Sequence, residues 1–555
     1  MAKRADMIGR IKDSLSPRLS PDVSRLVITL GILGFFLSFF SLFFLRPVQP
    51  VGFEFPINKN AIIGKAEQFL RNSGIAHDFT IRRARLDSEE AQLIYVQKAL
   101  APDAAQKIIN ELPLYFWQVT YSLEADTPLR SFFKRRMHSL MVLVNPLNGS
   151  IVGLRQKTPS EKERNPITLS QEEYMRRAGD FLAGTGLDMA GFQLSDFAQH
   201  EGSAVLEYRR AIDVLPGASA KIHLEYDNGS VMLFSRYLDV PAEVLEKYRT
   251  QNSYDLFLFF FLNALVFGIG VIIFIFSILQ RKRIDWKSGT VYALLYVLTQ
   301  LIYFLNAAEY RGLFLIFYSA VLGASLIFYF FWIRIVWGVG HFFAQQEKVT
   351  VAPFTTGTSL LVSYIFVFTG VGLTLLAFSL TSRLVQPVAL LGFSSFFSAF
   401  PSTTPSCVVP VLLSLSAAVS EELFFRALLI SYMKRFVKRI SWCIVVASCI
   451  WSFIHVSPYG YSEIVPGFLK GIFLLPIGIL FGYIFVRFGI VCAIATHYLY
   501  DLVVIGVSYS VFSSFSNLRA SLIALLAAAA APLFIAVIIS IKKSTGVFSH
   551  ERGHE

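Results

Sequence analysis

Apolar and polar positions divide this chain into three stretches. Leu26 to Leu45 is a run of about twenty uncharged residues, enough to cross a bilayer. Residues 51–253 are polar and mixed, with short alternating segments. From Leu256 onward the chain is almost continuously apolar. Runs near Leu256–Leu279, Val291–Ala308, Leu313–Ile333, Thr358–Leu380, Cys407–Ile430, Ile440–His455, Gly467–Val486, Gly489–Tyr509 and Ala520–Ile541 predict membrane helices, ten spans with the first one. The first run exceeds a signal-peptide core and no A-x-A site follows it, so it reads as an uncleaved anchor. Basic residues check the count. Lys3 to Arg25, Arg281-Lys-Arg283, Arg334 with Lys348, Lys434 to Arg439, Arg487 and Lys542-Lys543 fall on one face if spans alternate, and that face is expected to be cytoplasmic. Pro387–Pro405 is apolar but short, and reads as a re-entrant or lateral segment.

Within 51–253 a pattern occurs twice. Ala66-Glu-Gln-Phe-Leu70 ends near Gly74, and Ala178-Gly-Asp-Phe-Leu182 ends near Gly186. Each predicts a short amphipathic helix with a glycine at its C-terminus. Alternating strands follow, with Asn148-Gly149 and Asn228-Gly229 as hairpin turns. Both asparagines also fit the N-x-S glycosylation pattern, but the turn explains them without glycans. This helix-plus-hairpin arrangement resembles tandem PepSY-like domains, an extracytoplasmic module of bacteria. The resemblance implies a region that binds a peptide or cell-envelope component and regulates access to the rest of the protein.

Composition changes the picture little. Of 555 residues, 54% are hydrophobic and 53 are Phe, and the mean hydropathy of +0.55 excludes a soluble enzyme. The net charge of +12 needs no nucleic-acid partner, because cytoplasmic loops of membrane proteins carry such an excess and no basic stretch interleaves with aromatics. Cys407, Cys443, Cys449 and Cys492 all lie in apolar segments without C-x-x-C spacing, and read as buried free thiols. The expected architecture is an α-helical polytopic membrane protein with an inserted α+β soluble domain. Its parts are a cytoplasmic N-terminus and anchor (1–50), an extracytoplasmic domain of two halves (51–253), membrane helices (254–400), a core (401–510), and a last helix with its tail (511–555). The expected location is the plasma membrane, as a multi-pass protein in contact with lipid.

The chemistry-bearing residues lie in that core. Glu421, Glu422 and Arg426 interrupt an apolar span, and ionisable groups at membrane depth are costly enough to imply use. His455, and His497 with Asp501, sit in equally apolar runs. At 1.5 Å per residue these groups fall roughly 12–22 Å from the cytoplasmic face, and can converge if their helices pack together. Glu422 with Arg426, and His497 with Asp501, are i, i+4 pairs. Arg426 is expected to pair with Glu422, while Glu421 points about 100° round the helix to other neighbours. A carboxylate beside imidazoles can deprotonate water and support an oxyanion. The same residue types also serve a proton-coupled transporter or a non-catalytic membrane scaffold or sensor.

The order Glu-Glu-x-x-x-Arg, aromatic-x-x-x-His and His-x-x-x-Asp resembles the CAAX protease and bacteriocin-processing family of intramembrane endopeptidases, over Val409 to Tyr509. The resemblance implies an endopeptidase acting on a membrane protein or peptide substrate. Glu421 would activate water, with Glu422 assisting or held structurally by Arg426. His455 would orient the water, and His497 with Asp501 would stabilise the oxyanion or its hydrogen-bond network. Ala427, Trp451 and Asp501 stand where that family commonly has Gly, Phe and Asn. No cofactor is expected. The alternative is zinc on Glu421, His455 and His497, although no His-Glu-x-x-His spacing supports it.

Overall fold

The computed structural model describes residues 21–45, 57, 59–75, 81–122, 139–157, 169–215, 217–249, 252–307, 313–349, 356–384, 408–456, 461–462, 465–512 and 518–544. Pro387–Pro405, Cys407 and the basic residues before Pro21 lie outside them.

The polar stretch folds around one antiparallel sheet. In chain order it contains α2 (Lys59–Asn72), β1 (Ile81–Ser88), α3 (Glu90–Ala99), α4 (Pro102–Glu111), β2 (Tyr115–Ser122), β3 (Ser139–Val144) and β4 (Ile151–Lys157). The second half has α5 (Gln171–Gly184), β5 (Gln193–His200), β6 (Ser203–Ala211), β7 (Ser219–Asp227) and β8 (Ser230–Asp239), followed by α6 (Ala242–Arg249). The strand order is β1-β2-β3-β4-β8-β7-β6-β5, two four-stranded meanders joined at β4 and β8.

The repeated sequence pattern is therefore a structural repeat. Ala66, Phe69, Leu70, Ala178 and Leu182 are buried in one core, and Phe69 meets Phe181 edge-on with ring centroids 5.8 Å apart. Gly74 and Gly186 end their helices at φ +66° and +73°, where a side chain is strained. Asn228 and Gly229 turn the β7–β8 hairpin at φ +47° and +73°, and the Asn148 side chain accepts the Ser150 N–H at 2.9 Å. The first half departs from the expected helix-then-strands plan, because α3 and α4 are inserted between β1 and β2. Pro at the first position of α4 and buried Ala105, Ile108 and Ile109 explain that helix.

The apolar stretch is helical. The helices are α1 (Pro21–Phe40, with a π turn through Leu45), α7 (Asn252–Leu279), α8 (Trp286–Ala307), α9 (Leu313–Gln346) and α10 (Thr356–Leu384). Then come α11 (Val408–Glu421, continued by a π-helix over Glu422–Ile430 and a last turn, Ser431–Lys434), α12 (Ile440–Ile454), α13 (Gly467–Phe488), α14 (Ile490–Phe512) and α15 (Leu518–Ser544).

Among the described residues five helices are long and apolar enough to cross a membrane. The qualifying segments are Ser24–Leu45, Leu256–Leu279, Val321–Gln346, Gly357–Arg383 and Phe468–Phe488. Shorter apolar stretches are Ile440–Ile454, Ile490–Ile505 and Leu525–Ile538. Large apolar side chains such as Phe36, Phe257 and Phe267 point outward, as lipid-facing residues do. Together these helices indicate a multi-pass membrane protein.

Several expected boundaries move, one of them by more than three helical turns. α9 does not stop at Ile333 but runs on to Gln346, 34 residues in all, or about 51 Å. Arg334 does not end it, because its guanidinium lies 5.3 Å from the Trp286 ring centre and its Nε donates to the Trp286 carbonyl at 3.2 Å. α10 packs against α1, α13, α14 and α15. The π segment of α11 packs against α9, α12, α13 and α14, which brings the three charged motifs together.

Candidate functional site

Glu421 is the last α-helical residue of α11 and Glu422 the first of its π-helix, so the adjacent carboxylates leave the backbone on either side of a change in pitch. The whole π segment, Glu422 to Ile430, is buried. Such π segments recur at functional sites because they re-aim side chains within an otherwise regular helix.

The two carboxylates have different partners. Glu422 is fully buried, and its Oε1 lies 2.8 Å from Nδ1 of His497 and 3.1 Å from Nη1 of Arg426. The Arg426 contact is a charge contact off the hydrogen-bonding direction. The guanidinium also lies 4.7 Å from the centre of the Trp451 ring and 5.5 Å from that of Phe481, and Nη2 reaches the Gly478 carbonyl at 3.4 Å. The expected Glu422–Arg426 pair is present, and its second partner, His497, was not anticipated.

Glu421 is about a quarter exposed and faces the other way. Its Oε2 accepts the Trp451 indole N–H at 2.5 Å, and lies 3.8 Å from Nε2 of His455 and 3.9 Å from Nε2 of His497. His455 caps the C-terminus of α12, at the end of the expected run, where its Nδ1 meets the Trp451 carbonyl at 2.7 Å. A carbonyl can only accept, so Nδ1 carries the proton and a neutral His455 presents a bare Nε2 to the site. Two acceptors then face each other across a gap of 3.8 Å, a distance that a donor such as water fits between.

His497 differs. Nδ1 faces Glu422 and Nε2 faces Oδ2 of Asp501 at 3.3 Å, so both nitrogens donate only if the ring is an imidazolium. Phe481 stacks on this ring with centroids 4.7 Å apart. Asp501 therefore engages His497 instead of reaching the site as an independent donor.

Zinc bonds of about 2.0–2.1 Å place tetrahedral ligand atoms roughly 3.4 Å apart. The Glu421 oxygen is farther than that from both imidazole nitrogens, and among the described residues no three His, Cys, Asp or Glu side chains are grouped to hold a metal ion. As placed, these residues do not fit tetrahedral zinc.

All six residues selected from sequence thus lie in one cluster. Residues 403–503 match the family model of Rce1-like proteins, type II CAAX prenyl endopeptidases. The Rce1-like segment holds Glu421, Glu422, Arg426, His455, His497 and Asp501, and bears out the resemblance drawn from their spacing. The chain is also 27% identical over 93 residues to the sporulation-killing factor biosynthesis protein SkfC of Bacillus subtilis (strain 168), an alignment covering 17% of this chain and 18% of that protein. No solved structure matches the chain.

Two features escaped the sequence reading. One is the Trp451 indole, whose signal was an aromatic with a donor one helical turn before His455. The other is α8, outside the Rce1-like segment. Gln300 donates to the Ser416 hydroxyl at 2.5 Å, and the Tyr296 hydroxyl lies beside Ser416 and beside Ser420, the residue before Glu421. The spacing of Tyr296, Thr299 and Gln300 on one helix face was the available signal.

Proposed function

We propose that this protein is a CAAX-type intramembrane endopeptidase in which Glu421 is the general base. The observation that carries the reading is the Glu421 carboxylate facing two imidazole nitrogens at 3.8 and 3.9 Å. A water held between Glu421 and His455 donates to both, leaving its lone pair to attack a peptide carbonyl. As the oxygen–carbon bond forms, Glu421 takes one proton. The carbonyl π electrons move to oxygen, and the positive His497 ring, fixed by Glu422 and Asp501, stabilises that charge. Collapse of the tetrahedral species breaks the carbon–nitrogen bond, and Glu421 returns its proton to the leaving amine. Arg426 touches none of the reacting atoms; its task is to hold the Glu422 carboxylate in place.

The reading extends to topology. Ten spans place residues 51–253 outside the cell and Lys434–Arg439 inside, in the plasma membrane, supported by the one-sided distribution of basic loops. The outer domain, with its two PepSY-like halves, would bind a peptide or envelope component. A ligand there biases the core only through unequal affinity for its open and closed states.

The test is cleavage of candidate membrane peptides by purified wild type and Glu421→Gln. The variant is expected to fold normally and lose at least 100-fold in turnover, and the wild type to keep its activity in the presence of a chelator. Near-normal turnover of folded Glu421→Gln would remove Glu421 as the base. For topology, an impermeant thiol reagent is expected to label a cysteine placed at Asn148 and to spare one at Lys438; the reverse labelling refutes the ten-span arrangement.

A further inference from the structure

Trp451 is bound to the site at two points. Its indole N–H donates to Oε2 of Glu421 at 2.5 Å, and its carbonyl accepts Nδ1–H of His455 at 2.7 Å. The side chain is 2% exposed and has little freedom to turn. Arg426 lies against its face, and Phe481 and His497 meet it edge-on with centroids 5.9 and 5.8 Å away. Below it passes Gly478, where a Cβ would come within 2.8 Å of the ring.

We propose that Trp451 is a positioning residue: its indole N–H fixes Oε2 of Glu421 while its carbonyl fixes the tautomer of His455, so that base and imidazole address one point. This rests on the reading of Glu421 as base. The physical argument is economy of orientation. A glutamate has three rotatable bonds, and at a quarter exposure Glu421 is not held by packing alone. A charge-assisted hydrogen bond from a rigid, fully packed indole removes that freedom before substrate arrives. A phenylalanine at the same place keeps an aromatic ring against Phe481 and His497, although a smaller one, and offers no donor. The carboxylate then swings, and the gap to Nε2 of His455 is no longer set.

The experiment compares Trp451→Phe with wild type in the same peptide-cleavage assay, together with the indole N–H resonances of protein labelled with 15N-tryptophan. Loss of one charged hydrogen bond predicts a fall in kcat of about 10- to 100-fold, with KM within about threefold and the unfolding midpoint nearly unchanged. The resonance missing in Trp451→Phe identifies Trp451, and that resonance is expected to move in Glu421→Gln. Wild-type kcat in Trp451→Phe overturns the proposal, as does a Trp451 resonance that ignores Glu421→Gln. The spectroscopic comparison stands even if Trp451→Phe is too unstable to assay, because the missing resonance can be assigned from a low yield. If Glu421→Gln remains active while the Trp451 resonance moves, the base assignment fails and the contact survives. If Glu421→Gln is inactive and Trp451→Phe is fully active, the positioning role fails alone.

Discussion

Replacing Arg426 by methionine tests whether the buried charges hold the site together. The guanidinium and the Glu422 carboxylate are 1% and 0% exposed, so neither is relieved by water. Methionine keeps an unbranched apolar stem and removes the guanidinium, with its charge, its contacts to the Trp451 and Phe481 rings and its reach to the Gly478 carbonyl. Among the described residues, Glu422 then keeps His497 as its cationic neighbour, at 2.8 Å. Breaking a buried pair from one side typically costs about 3–5 kcal/mol, because the remaining charge is stranded. The lower end applies here, since His497 still compensates in part. Adding Glu422→Gln removes the stranded charge, and the double variant is expected to recover at least about 2 kcal/mol of the loss. The assay is denaturant unfolding of the four proteins of the cycle in detergent micelles, with cellular abundance as a second measure. An Arg426→Met protein within about 1 kcal/mol of wild type would show that the pair is not what stabilises this helix. A double variant no better than the single one would place the cost in lost packing instead of charge.

Two further outcomes follow from regions outside the site. α1 crosses α10 so closely that a Cβ on Gly34 would overlap the Thr369 backbone, and Thr369 Oγ1 donates to the Leu30 carbonyl at 2.8 Å. Gly34→Leu should therefore cost about 1–3 kcal/mol or more by overpacking. Gly268→Leu on α7, where a Cβ meets nothing within 4 Å, should be neutral in the same denaturant-unfolding assay; equal effects would refute the close crossing. In the soluble region, hydrogen bonds from Arg176 and then Arg177 hold the Glu173 carboxyl down to about 2. A depressed acid stabilises the fold above its unfolded value of about 4.3, and that contribution is lost as pH falls toward 2. An NMR titration of the double variant Arg176→Ala, Arg177→Ala should move the Glu173 midpoint up toward 4.3; no movement would discount the pairing.

What was legible in the sequence is what local chemistry dictates. Asn228-Gly229 declared a hairpin because few other residues accept φ above zero at both turn positions. The paired helices of the soluble region were readable because Ala66, Phe69 and Leu70, like their counterparts in α5, repeat at helical spacing. The i, i+4 spacing exposed Glu422 with Arg426 and His497 with Asp501, and the order of motifs exposed the family. What remained hidden was tertiary. No side-chain period separates nine π-helical residues from an α-helix, so the change of pitch after Glu421 left no trace in the pattern. Arg334 looked like a helix end because its partner, Trp286, lies on another helix, 48 positions away. The indole of Trp451 reaches Glu421 across 30 positions, and local spacing cannot report such a contact.

That change of pitch has a chemical consequence. Two carboxylates held 4 Å apart at an effective dielectric constant of 20 repel by about 4 kcal/mol. Adjacent glutamates at membrane depth are tolerable only if each is given its own compensating group. The switch from α to π between Glu421 and Glu422 sends the second toward Arg426 and Nδ1 of His497, and leaves the first to the Trp451 N–H and the open gap. Nε2 of His497 lies within reach of both Glu421 and Asp501, at 3.9 and 3.3 Å. Because Asp501 is the nearer acceptor, the proton on Nε2 is drawn away from Glu421. On the proposed reading of Glu421 as the base, Asp501 acts in the same direction as the π turn: Arg426 and His497 are engaged by Glu422 and Asp501, and the Glu421 carboxylate is left facing the gap.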